Sequence, residues 1–106
     1  MEELNYVIQQ IKENNMLIIY FYSGEKCSVC SVLKDKIREI DKEYKNIKTL
    51  YINIDISPKI SSYYSVFTVP TILLFIEGRE TVREGRYTSI LELRKKINRY
   101  YNLLNN

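Results

Sequence analysis

Six consecutive apolar residues, Leu17-Ile18-Ile19-Tyr20-Phe21-Tyr22, constrain this chain more than any other stretch. They lack the polar alternation of a strand with one wet face. They are also β-branched and aromatic, so they predict a central strand covered on both sides. Such a strand needs helices above and below it, which gives an α/β layer arrangement. A second run, Thr71 to Ile76, reads the same way. Both are far too short to span a bilayer, which takes about 20 apolar residues.

The segments around these runs complete the pattern. Leu4, Val7, Ile8 and Ile11 recur at helical spacing over residues 3–14, which Asn14-Asn15 ends. Val29, Val32, Leu33, Ile37, Ile40 and Tyr44 form the apolar stripe of a helix over 28–44. Thr49 to Ile54 is a strand. Ser57-Pro58 predicts an N-cap and first helical position, opening a short helix through Tyr64. Val66 to Val69 is extended, as residues leading into a proline are. Glu77-Gly78 is a turn into an edge strand over 80–84, which Gly85 breaks. A last helix over 89–104 buries Ile90, Leu93, Ile97, Tyr100 or Tyr101, and Leu104. The order is α-β-α-β-α-β-β-α. Two right-handed crossovers would set the first three strands parallel, with an antiparallel strand added by the hairpin.

A chain of 106 residues has room for one core, so residues 1–106 are expected to form one domain. Sixteen basic and 13 acidic residues are mixed along it, for a net charge of +3. Without a basic block, nucleic-acid binding is not expected. The acidic start Met1-Glu2-Glu3 has no basic region followed by an apolar one, so no signal peptide and no membrane segment are expected, and the location is read as cytoplasmic. There is no histidine, which removes the commonest general base and metal ligand.

The only cysteines are Cys27 and Cys30, in Cys27-Ser28-Val29-Cys30, between the first strand and the second helix. Two cysteines at this spacing at a helix start can trade a dithiol for a disulfide, and the helix N-terminus favours thiolate at the first. Lys26 adds positive charge, so Cys27 is expected to titrate below the ordinary thiol value of about 8.5. Other readings stand beside this one. The pair could be half of a zinc site completed by carboxylates or a second chain. It could be inert in a binding domain, and Lys26 could be a solvated loop residue. Pro70, 43 residues after Cys27, could follow a trans bond like most prolines. Tyr20, Tyr22 and Tyr51 read as packing groups, Asp55 as a cap or turn residue, and Arg79, Arg83 and Arg86 as a solvated edge that discourages sheet extension.

Taken together, the strand leading into Cys27-Ser28-Val29-Cys30, the strand end Asn53-Ile54-Asp55, the segment Tyr64-Ser65-Val66-Phe67-Thr68-Val69-Pro70-Thr71, Gly78 and Gly85 resemble the thioredoxin family over essentially the whole chain. The resemblance implies a thioredoxin fold: a four-stranded mixed sheet, ordered 2-1-3-4 in chain numbering, flanked by helices and ending in a β-hairpin and helix. The family's first strand is expected to be missing, since residues 3–14 read as a helix. It implies Cys27 as the exposed nucleophile and Cys30 as the more buried resolving cysteine. Pro70 would be a cis-proline beside them, and the Val69 backbone would pair with a substrate peptide. Lys26, Ser28 and Val29 would flank the substrate. The chain departs from the family in three places. Gly-Glu-Lys replaces the usual tryptophan-containing approach to the first cysteine, and Ser-Val replaces Gly-Pro between the cysteines. The family's buried acid falls at Tyr20 or Phe21, with its lysine partner at Tyr51. The resolving thiol therefore needs another proton route, for which water is expected.

The function so implied is reduction of protein disulfides by dithiol–disulfide exchange at Cys27 and Cys30, with no bound cofactor and no metal. The expected partners are disulfide-containing proteins and, as electron donor, a thioredoxin-reductase-like flavoprotein or small thiols, and the chain is expected to act as a monomer. A dedicated redox partner of one client enzyme and a non-catalytic thioredoxin-like interaction module are the alternatives.

Overall fold

A computed structural model of the protein describes residues 2–24 and 29–105, with Glu2 described by its backbone alone. The elements are α1 (Glu2–Glu13), β1 (Met16–Tyr22), α2 (Cys30–Glu43), β2 (Lys48–Asn53), α3 (Pro58–Tyr63), β3 (Thr71–Ile76), β4 (Arg79–Glu84) and α4 (Ile90–Leu104). The sheet order is β2-β1-β3-β4, as the resemblance implied. Among the described residues, no helix is long and apolar enough to cross a membrane.

β1 behaves as its composition requires: Leu17 through Phe21 are all fully buried. Its odd and even residues feed two cores. Ile18 and Tyr20 pack with Leu33, Ile37 and Ile40 of α2 and with Leu93 and Ile97 of α4. Leu17, Ile19 and Phe21 pack on the other face with Leu4, Val7 and Ile11 of α1 and Ile60 of α3. Alternate side chains of one strand thus hold two helical layers.

The strand directions correct one expectation. β1 and β2 are parallel, but β3 is antiparallel to β1, and β4 is antiparallel to β3. The reason is that α3, the helix in the connection over 54–70, is shorter than a strand. β2 stops at Asn53 beside Tyr22. A six-residue α3 rises only about 9 Å, whereas a six-residue strand spans about 20 Å. The chain is not carried back to the far end of the sheet. β3 starts where β2 stopped, with Thr71 opposite Phe21, and runs the other way. The segment before β3 is thereby left at the same end of the sheet as the start of α2.

Two local expectations also change. The α2 stripe is Cys30, Leu33, Ile37, Ile40 and Tyr44, while Val32 is 64% exposed, one position off that stripe. Ser57 stands at the N-cap of α3 with Pro58 after it, but its side chain makes no cap bond; its hydroxyl donates to Glu3 Oε2 on α1 at 2.9 Å. The hairpin turn falls at Glu77 and Gly78, both with positive φ (48° and 85°), which suits the tight turn between β3 and β4. By contrast, Ser89 caps α4 as its type predicts, accepting a bond from the Glu92 N–H at 3.2 Å.

Candidate functional site

The C-terminal end of β1 and the N-terminal end of α2 frame the site. Lys26, Cys27 and Ser28 lie outside the described residues. Val29 stands at the N-cap of α2, half-buried and in a helical backbone conformation, so the described helix opens at Cys30. Cys30 is 3% exposed, and its sulfur is in a disulfide.

A contact that the sequence alone did not reveal holds this helix start. Tyr20, fully buried on β1, donates its hydroxyl to the backbone carbonyl of Cys30 at 2.7 Å. Burial pushes the Tyr20 hydroxyl up to about 12, so it stays a protonated donor at any ordinary pH. The chemistry of the residue type matters here. An ionised carboxylate is only an acceptor and could not bond a carbonyl, whereas a tyrosine can. Tyr20, one of the two positions at which the resemblance implied a missing acid, thus makes a contact that an ionised acid could not.

Tyr20 belongs to an aromatic group beneath α2. Its ring stacks on Tyr22 with centroids 6.0 Å apart and meets Tyr51 edge-on at 6.4 Å. Lys34 places its Nζ 3.9 Å from the Tyr22 centroid, a cation–π contact one turn into α2. The Tyr51 hydroxyl and Thr49 Oγ1 are the buried side-chain polar atoms without a hydrogen-bond partner among the described residues. Burial raises the Tyr51 hydroxyl, with a further push from Asp41 and an opposing pull from Arg38. Packing is thus the main role of all three tyrosines, with the Tyr20 hydroxyl as the exception.

Asp55 lies in the turn after β2, one of the two roles its sequence suggested. Its Oδ2 accepts from the buried Ser23 hydroxyl at 2.6 Å, which ties the end of β2 to the loop that follows β1. Its own N–H is held by Asn53 Oδ1 at 2.9 Å.

Opposite this loop, the Val69–Pro70 peptide bond is cis. Pro70 is buried and Val69 half-buried. The turn is fixed by the Thr71 hydroxyl, which donates to the Thr68 carbonyl at 2.7 Å. Phe67, two residues before Val69, is 77% exposed. The backbone of Gly85 lies beside the Pro70 carbonyl, at ordinary contact distance for an added Cβ. Pro70 and Cys30 thus stand at one end of the sheet, as the antiparallel pairing of Thr71 with Phe21 requires. No group of three or more potential metal-binding side chains occurs among the described residues.

The thioredoxin family profile matches residues 2–99. The thioredoxin-like protein YdfQ of Bacillus subtilis is 38% identical over 93 residues, covering 88% of this chain and 82% of its own. Among solved structures, thioredoxin 1 of Thermosipho africanus is similar with a TM-score of 0.76 at 34% identity, over 85% of this chain and 99% of that one. A thioredoxin of Halobacterium salinarum, at 21% identity, shares the fold with a TM-score of 0.81 over 92% and 84% of the two chains.

Proposed function

Because the chain belongs to the thioredoxin family, we propose that it is a thiol–disulfide oxidoreductase that reduces protein disulfides through Cys27 and Cys30. The observation that carries this reading is the arrangement around Cys30: a buried cysteine opening α2, its carbonyl held by Tyr20, at the sheet end where Pro70 turns the chain.

The thiolate of Cys27 attacks one sulfur of the client disulfide. That S–S bond breaks, a mixed disulfide forms, and the departing client thiolate takes a proton. Cys30 then loses its proton and attacks the Cys27 sulfur, releasing the second client thiol. Two electrons and two protons pass to the client, and the chain is left oxidised. The Val69 backbone pairs with the client peptide, and Lys26, Ser28, Val29 and Pro70 border it. With no acid at either Tyr20 or Phe21, water carries the proton from Cys30. A thioredoxin-reductase-like flavoprotein or small thiols restore the dithiol. We read the whole of residues 1–106 as this one domain, acting as a cytoplasmic monomer.

Phe67 favours a second reading, a dedicated redox partner of one client, because an exposed aromatic beside Val69 narrows the range of peptides that fit.

The test is reduction of insulin disulfides by the dithiol-reduced protein. Activity is expected for the wild type and should be lost in Cys27→Ser. Iodoacetamide should alkylate Cys27 rapidly at neutral pH, with a titration midpoint below the ordinary thiol value. A slow thiol and no insulin reduction would leave a non-catalytic interaction module as the better account.

A further inference from the structure

Arg83 is exposed on the edge strand β4, as its sequence context suggested, but its guanidinium is fully engaged. It pairs with Leu73 across β3 and β4, which puts it on the sheet face that α3 covers. Its guanidinium reaches the chain just after α3. Nη2 donates to the Tyr64 carbonyl at 2.7 Å, and Nη1 donates to the Ser65 carbonyl at 3.1 Å. Nε and Nη2 also donate to the two carboxylate oxygens of Glu80, each at 2.8 Å.

The loop is thus gripped from two sides. Its N–H groups bond back to α3: Ser65 to the Ser62 carbonyl at 3.0 Å and Val66 to the Ser61 carbonyl at 2.7 Å. Its carbonyls go to Arg83. Ser65 sits at φ 55°, a left-handed conformation that a non-glycine residue adopts only when its surroundings hold it. Beyond the grip, Val66 is buried, Phe67 is exposed, and Val69 leads into Pro70.

We propose that Arg83, oriented by Glu80, is a positioning residue for client binding: it fixes the Tyr64–Ser65 turn and so sets where Phe67 and the Val69 backbone meet a client protein. This rests on the disulfide-reductase reading above. Glu80 is held below its ordinary value chiefly by its hydrogen bond from Arg83, as an oriented pair requires. Geometry, not stability, is the consequence of the grip. The carbonyls lie at an exposed edge where water can replace the arginine, so losing it costs the fold little. Lysine cannot take its place, because one ammonium does not reproduce a planar fork that spans two carbonyls and a carboxylate.

The experiment compares insulin with bis(hydroxyethyl) disulfide as substrates for the wild type, Arg83→Ala and Arg83→Lys, after circular dichroism has checked each fold. A small disulfide does not reach the loop, whereas a protein does. The ratio of kcat/KM for insulin to that for the small disulfide should fall about three- to tenfold in both variants, the scale of losing a charge-assisted bond or two. The fall should lie in KM for insulin. A ratio unchanged in either folded variant overturns the proposal, and so does an equal loss on both substrates, which would mark a structural role. A wild type that reduces neither disulfide overturns the reductase reading, and this proposal with it.

Discussion

Replacing Tyr20 with phenylalanine tests how the site is held together. The substitution keeps the ring, its burial and its contacts with Tyr22 and Tyr51, and removes only the hydroxyl that bonds the Cys30 carbonyl at 2.7 Å. A neutral hydrogen bond of this kind contributes a net 0.5–1.5 kcal/mol, so Tyr20→Phe should cost about 1 kcal/mol. That is a fall in Tm of roughly 4 °C or a little more for a domain of this size. Tyr20→Ala should cost about 3–5 kcal/mol, because it also opens a cavity under α2. The alkaline limb adds a second readout. Burial pushes the folded hydroxyl up to about 12 from its ordinary value of 10.0. Its contribution is therefore fully present below pH 10 and is lost as pH rises from there through about 12. Tyr20→Phe should flatten part of that loss, and Tyr64, also pushed up to about 12 by burial, should retain the rest. Urea unfolding followed by circular dichroism at neutral and alkaline pH measures both. If Tyr20→Phe is as stable as the wild type at neutral pH, with an unchanged m-value, the reasoning about this bond is refuted.

The two apolar residues of α2 that differ most in burial should differ most in cost. Ile37→Ala should lose about 2–5 kcal/mol in denaturant unfolding, and Val32→Ala should stay within about 0.5 kcal/mol of the wild type. Ser89→Ala should cost about 1 kcal/mol through loss of the α4 cap, again read from unfolding. The Glu80 carboxyl is lowered in the fold, so its contribution is present above the unfolded carboxylate value and is lost as pH falls through that range and below. The stability difference between the wild type and Glu80→Gln should therefore shrink on acidification, and a difference that grows would contradict the assignment.

The sheet order and the two-sided burial of β1 were readable because a run of apolar β-formers has few other uses. The direction of β3 was not, because it depends on how far a short helix carries the chain, and pattern matching at Ser57-Pro58 gives a start signal but no reach. Val32 read as core because it is apolar and adjacent to the true stripe, and one position on a helix turns a side chain by about 100°. Cys27, Cys30 and Pro70 were legible as a motif. Tyr20 was legible as a packing group and, with Phe21, as a departure from the family, but its bond was not, since nothing in a sequence says that a hydroxyl will meet a carbonyl ten residues on. Arg83 was legible as an exposed edge residue, but its grip was not, because its carbonyl partners are backbone atoms, which carry no residue signature. Asp55 and Ser23, 32 residues apart, meet only once β1 and β2 are paired.

The most direct test of the central claim is the redox equilibrium of Cys27 and Cys30, followed by alkylation and mass measurement in glutathione or dithiothreitol buffers of defined poise. The account predicts that both cysteines pass from dithiol to intramolecular disulfide together, in a single two-electron transition of about 30 mV per decade. Two thiols that stay reduced at every poise, or that react independently of each other, would contradict it.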